Sequence, residues 1–389
     1  MFLWIRSGWR MLGRVMLLTS LTAFLCSNQF MAMRLAFNFW DPFSISQYRL
    51  SRLTDKEYED AINQAADDGE IVEAQALVAI AEENGRELPA ELILRTQESM
   101  IDSGLRNAGD FLHGAVTGEV TSAASIGGVI VADYVGVGDT RDVVVQGTKL
   151  IKGDDYDKLT LGLALAGLAT VMPGSGLADA GFSILKTANK SGKMSAGLTS
   201  HLRSMAVKLV DAEGLRRGLS MISPPKIRMP PASEIRAVFS KIDWRKVANG
   251  DFEELRQPIS KLIPMDIKAA KAAFRGAVHQ EAVDEMRVIV RSTTGIVTAG
   301  GIKTAFRAVE HAEDVKDLSR FHSLAARMGG KTSAVVKVLG KNAIKLGKLL
   351  YLVVAIIIAA LGWLLTALWF SYSILRATYR VAARGRGVA

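Results

Sequence analysis

From Leu349 to Leu375 the chain carries no charged side chain, and the run is closed by Arg376, Arg380, Arg384 and Arg386. As an α-helix its 27 residues would reach roughly 40 Å, against about 30 Å of hydrocarbon in a bilayer. A stripe holding Val353, Val354, Ile356, Ile357, Ile358 and Leu361 is too apolar to be left in water. The run therefore predicts a C-terminal transmembrane helix, 349–375, with an arginine-rich tail, 376–389. It makes the lipid bilayer the first expected partner.

The opposite end has a related pattern. Arg6, Arg10 and Arg14 precede an uncharged stretch from Val15 to Met33, the order found in export signals and signal anchors. Thr19, Ser20, Thr22, Ser27, Asn28 and Gln29 dilute the apolar core, and no small-x-small cleavage site follows Leu25. Residues 1–33 are expected to be a signal anchor; a cleaved signal, or a true start at Met11, Met16, Met31 or Met33, are the alternatives. Cys26 is the only cysteine, so no intramolecular disulfide can form.

The 389 residues carry a formal charge of +9, a total that hides a division. Residues 54–157 hold 22 acids and 7 bases, a net of −15, whereas residues 186–348 hold 15 acids and 30 bases, a net of +15. Two bodies of opposite sign can dock on each other, or the basic one can lie on anionic lipid head groups beside its own membrane helix. A membrane protein partner is a further use of that charge. Nucleic acid ranks last, because no zinc-ligand pattern, RNP-like aromatic motif or helix-turn-helix accompanies the basic residues.

Between the two ends the pattern is helical throughout. Thr54-Asp55-Lys56-Glu57 is a capping box opening a stripe of Tyr58, Ala61, Ile62 and Ala65 that Gly69 stops. A second stripe through Val72, Ala74, Leu77, Val78 and Ala81 ends at Gly85, and Pro89 can begin a third helix. This acidic helical hairpin region, 34–109, resembles one tetratricopeptide-like unit without a second copy; one unit cannot bury its own face, so an ordinary helical bundle is expected.

Region 110–222 shifts to glycine, alanine and branched aliphatics. Val120–Ala132 is too short to span a bilayer, whereas Leu159–Ala178 has the length but is broken by Pro173, Gly174 and Gly176. Gly162, Ala166 and Thr170 put small side chains on one helical face, suited to close approach by another helix. Between these stretches lie Gly136-Val137-Gly138-Asp139-Thr140-Arg141-Asp142 and then Gly153, Asp154, Asp155 and Asp157. They fit neither a Walker or dinucleotide loop nor an EF-hand. Gly136 and Gly138 are expected to supply a turn, Asp139 to cap the next helix, and Asp142 or Arg141 to pair locally.

Residues 135–176, from Gly136-Val137-Gly138-Asp139 through Gly153-Asp154-Asp155 to Met172-Pro173-Gly174, resemble the glycine-rich pre-toxin segment of bacterial polymorphic toxins. The resemblance implies a bacterial origin and a helical, membrane-facing segment ahead of a variable effector. It carries over no functional residue.

A proline-rich linker, 223–231, then separates a basic helical domain, 232–348. Its stripes are Ile235, Val238, Phe239 and Ile242, then Ile267, Ala270, Phe274 and Val278 after an N-cap at Asp266. Gly295, Gly300 and Gly301 mark a turn, and Val309, Val315, Leu318, Phe321 and Leu324 outline a helical pair before Gly329-Gly330. No catalytic, cofactor-binding or metal-ligating residue is assigned. The histidines, His113, His201, His279, His311 and His322, lack ligand spacing. His311-Ala312-Glu313 touches the deaminase pattern, but its P-C-x-x-C partner cannot exist with one cysteine. Glu281, Asp284, Glu285 and Arg287 read as a solvated face, and His322 as a packed or solvated side chain.

The expectation is an all-α protein with helical bundle regions, a C-terminal transmembrane helix and a signal anchor. It is placed in the bacterial inner membrane and expected to act through protein or lipid contacts. The alternative function is a translocated membrane-active effector.

Overall fold

The computed structural model describes residues 34–96, 137–170, 176–222 and 267–362, with Leu365, Trp369 and Tyr372 beyond them. The expected signal anchor, linker, Ile235–Ile242 stripe, Asp266 cap and arginine-rich tail lie outside the described residues. Within them the chain is helical, with no strand and a single isolated antiparallel bridge between Val210 and Val278. It divides into two compact units, Met1–Arg52 with Lys345–Ala389, and Leu53–Ile344.

In the larger unit, α2 (Asp55–Asp67) and α3 (Ile71–Glu83) fold back on each other, followed by the short α4 (Ala90–Arg95). The capping box forms as expected: Glu57 N–H donates to Thr54 Oγ1 at 3.3 Å, and Thr54 N–H donates to Glu57 Oε2 at 2.7 Å. Gly69 and Gly85, at φ of 73° and 68°, end the two helices. Their left-handed backbone lets Glu70 N–H reach Ala65 O at 2.8 Å and Arg86 N–H reach Ala81 O at 3.0 Å, which satisfies carbonyls the helix cannot.

The glycine-rich region supplies α5 (Val137–Lys152), α6 (Lys158–Thr170), α7 (Gly176–Lys190), α8 (Ala196–Leu209) and α9 (Ala212–Met221). The basic region gives α10 (Ile267–Phe274), α11 (Gln280–His311), α12 (Val315–Met328) and α13 (Lys331–Leu339), with a 3₁₀ turn at Gly340–Ala343. α11 is the spine of this unit, with α7, α8, α12 and α13 packed against it. The sequence placed a turn at Gly295, Gly300 and Gly301. The helix instead continues through Gly295 and kinks only at Gly301, whose φ of 85° and ψ of 173° leave the helical region. Gly295 has a different role: a β-carbon there would lie 2.5 Å from the His322 ring, which packs on it.

α6 is apolar on every side and is buried from Leu159 to Leu168, as such a helix must be. It packs against α5, α7, α8 and α10. Asp157 caps it, accepting from Leu159 N–H at 3.0 Å and Thr160 N–H at 3.1 Å. The small-residue face permits the predicted close approach: a β-carbon on Gly162 would come within 2.4 Å of Ala206 Cβ on α8.

In the smaller unit, α1 (Pro42–Arg52) and the turn before it pack against the helix α14, 349–362. Leu35, Ala36, Ile45 and Val353 form its core, flanked by Tyr48, Leu346, Leu349 and Ile356. Among the described residues no helix is both long and apolar enough to cross a membrane. α14 is the part of the predicted 349–375 span that is described without interruption.

Gly162→Ala tests the close α6–α8 contact. The added methyl has no room beside the Ala206 backbone, so the substitution should cost about 1–3 kcal/mol, read as a lower urea midpoint by circular dichroism.

Candidate functional site

The charge division seen in the sequence meets inside the larger unit, where α3 packs against α13. Glu70, at the start of α3, accepts from Arg307 Nη2 on α11 at 3.1 and 3.0 Å and from Lys337 Nζ on α13. Lys337 also donates to Asp68 at 2.8 Å, and Lys331 donates to Glu83 at 2.5 Å. One turn from Glu70, Glu73 is 2% exposed. It accepts from Ser333 Oγ and stands 3.5 Å from Arg307 Nη2.

Glu70 and Glu73 are two carboxyl groups one helical turn apart, and their interaction drives their titrations in opposite directions. Burial opposes the charge on Glu70, but the neighbouring Glu73 carboxyl, the bond from Lys337 and the fields of Arg307 and Lys303 outweigh it and hold Glu70 at about 2. Burial, then the neighbouring Glu70 carboxyl, push Glu73 above the usual carboxylate range, with Ser333 opposing. Burial disfavours the Lys337 cation too, and Asp68 and Glu70 outweigh it, so its pKa is raised. Apolar contact reinforces the seam: Leu77, Ile80 and Ala81 on α3 and Ala334, Val335 and Val336 on α13 are buried.

A second ionic cluster lies deeper. Lys186 of α7 is 0% exposed. Its ammonium donates to Asp139 Oδ1 at 2.5 Å and lies 3.1 Å from Asp142 Oδ2. Asp142 also accepts from Lys190 at 2.9 and 2.8 Å and from its neighbour Arg141 at 3.1 Å. Burial opposes the Asp142 charge, yet Lys186, Arg141 and Lys190 together hold its carboxyl well below the usual range. The local Arg141–Asp142 pair was legible in the sequence. Asp139 behaves differently from its expected capping role, because α5 starts at Val137 and places Asp139 in its first turn, against Lys186. Gly167 on α6 makes room for that carboxylate, since a β-carbon would lie 2.5 Å from Asp139 Oδ2.

A shallow cavity of about 380 Å³ opens at the end of α11, lined by Ser195, Glu310, His311, Glu313, Lys341 and Asn342. Burial lowers the His311 pKa, opposed by Glu310. Ser195 is committed to structure: its hydroxyl donates to Ala312 O and accepts from Leu198 N–H at 3.1 Å, capping α8. Glu313 faces Lys341 at 3.5 Å. Among the described residues no group of three His, Cys, Asp or Glu side chains is placed to hold a metal ion. Arg287 pairs with Asp284 at 2.6 Å on an exposed face, as its spacing implied.

The sequence did not single out Glu70, Glu73, Arg307, Lys337 or Lys186. A signal existed for the last: Lys186 stands amid Phe182, Ile184, Leu185 and Ala188, where a solvated lysine has no place.

Two outcomes follow. Glu70 gains its charge-linked stability above the unfolded carboxylate value near 4.5 and loses it as pH falls toward about 2. Glu73 has the opposite sign, its contribution being present below about 4.5 and lost as pH rises through its raised pKa. Glu70→Gln should therefore lower stability at neutral pH by about 1–2 kcal/mol, and Glu73→Gln should leave it unchanged or raise it, both measured by thermal denaturation. Lys186→Met should cost about 3–5 kcal/mol by stranding buried carboxylates, and adding Asp139→Asn should recover part of that loss in urea titrations.

No protein-family model, curated protein or solved structure matches this chain.

Proposed function

We propose that this chain is a bacterial inner-membrane protein, anchored by a helix over residues 349–375 and working through protein or lipid contacts. The observation that carries the reading is the surface of α14. Tyr351 is 82% exposed and Ile358 64%, and Val354, Ile357 and Leu361 are exposed with them. Successive residues advance about 100° around a helix, so these five side chains line one continuous apolar stripe, set apart from the face that buries Val353. An apolar surface of that kind is stable in hydrocarbon and costly in water. Leu365, Trp369 and Tyr372 continue the exposed apolar series, and Arg376, Arg380, Arg384 and Arg386 follow where arginines anchor a span to head groups.

The larger unit fits a contact role. Arg307, Lys331 and Lys337 are taken up by the chain's own acidic hairpin, while Lys316 and Arg320 on α12 stay exposed to meet an anionic head group or an acidic partner. Arg291, Lys303 and Arg327 are exposed as well, and cations of this kind can meet anionic lipid.

The test is extraction of membranes at alkaline pH. The full chain should stay in the pellet and dissolve only with detergent, and deletion of 349–375 should move it toward the supernatant. A full chain recovered in the soluble fraction of its own cells, yet binding added vesicles, would favour the translocated-effector reading.

A further inference from the structure

The smaller unit holds a feature that the anchor alone does not require. From the end of the helical turn at 34–37 toward α1, the chain presents Phe37, Phe39 and Trp40, exposed by 60%, 37% and 60%. Phe39 and Trp40 are stacked edge to face, 5.0 Å between centroids. The turn is held from both sides. Asn38 N–H donates to Arg34 O and Leu35 O at 3.1 Å, and Asp41 N–H donates to Asn38 O at 2.9 Å. Asp41 Oδ2 then accepts from Ser44 N–H at 3.3 Å and Ser44 Oγ at 2.9 Å, which fixes the entry to α1.

The turn is also tied to the foot of α14. Leu35, Ala36 and Ile45 share a core with Val353, and Arg49 Nη2 donates to Lys345 O at 3.2 Å and Leu346 O at 2.9 Å. Over residues 34–52 and 345–362 the charged side chains are Arg34, Arg49, Arg52, Lys345 and Lys348, against the single acid Asp41. Arg34, Arg52 and Lys348 are exposed.

From this we infer that residues 37–40 form an aromatic collar that seats in the head-group layer of an anionic bilayer and sets the depth of the 349–375 helix. Aromatic rings with one wet and one apolar side favour that layer, and cations at the same level meet anionic head groups. A water-facing turn would gain nothing from three large exposed rings. A protein partner is the less favoured cover, because the patch joins an exposed apolar helix foot and its charge is almost wholly positive.

This inference rests on the membrane reading proposed above, and the experiment separates the two. Of the six tryptophans, variants of the full chain keep only Trp40 or only Trp369, the others becoming Phe. Each is reconstituted in phosphatidylethanolamine–phosphatidylglycerol vesicles carrying lipid brominated near the glycerol or near the chain end. Trp40 should be quenched more by the shallow bromines, with emission shifted to the blue, and Trp369 more by the deep ones. Quenching of Trp369 without Trp40 would overturn the collar and leave the anchor standing; quenching of neither would overturn both. A polarity-sensitive dye on Phe37→Cys, in a Cys26→Ser chain that keeps every tryptophan, should shift blue on reconstitution, and an unshifted dye would likewise overturn the collar.

Discussion

Charge of one sign gathered on one stretch of chain has to be answered somewhere, and in the larger unit it is answered at Glu70. That carboxylate sits where α3, α11 and α13 meet, taking Arg307 from one side and Lys337 from the other. Exposed ion pairs are each worth only about 0–1 kcal/mol, so separate surface pairs would not hold a hairpin in place. Here the pairs share members, Glu73 is buried beside them, and the aliphatic side chains of α3 and α13 close over the seam. The acidic hairpin thereby acquires the apolar neighbour that two helices cannot supply for themselves.

The buried cluster around Lys186 solves a related problem under stricter terms. A lysine with no exposed surface needs carboxylates within hydrogen-bond reach, and Asp139 and Asp142 provide them at 2.5 and 3.1 Å. Room for them comes from what is missing on α6, where Gly167 has no side chain to fill the space taken by Asp139. α7, which carries Lys186, also packs on α11, which carries Arg307. The same spine therefore supports both ionic groups, and the Gly301 kink falls between the α11 segment bearing Ile289 and Val290 and the one bearing Arg307.

The two units treat apolar side chains in opposite ways. Among its described residues, Leu53–Ile344 buries most of its large aliphatic and aromatic side chains. Among its described residues, the unit formed by Met1–Arg52 and Lys345–Ala389 buries a small core at Leu35, Ile45 and Val353 while presenting Phe37, Trp40, Tyr351 and Ile358 outward. A hydrocarbon phase would complete that second arrangement, which is the basis of the proposed anchor and collar.

Sequence by itself determined the local features, because these depend on neighbours close together along the chain. The Thr54–Glu57 capping box, the stops at Gly69 and Gly85, the small-residue face at Gly162 and the Arg141–Asp142 and Asp284–Arg287 pairs all belong to this class. It also determined that two oppositely charged bodies share one chain. Only tertiary structure decided how they meet: Glu70 and Arg307 are 237 residues apart, and no periodicity relates them. It likewise turned Asp139 from a cap into the partner of Lys186, 47 residues on, and made Gly295 a seat for a histidine ring. Hydrogen-bond spacing within a helix is written into consecutive residues; which helix face meets which is settled by the packing of the whole unit.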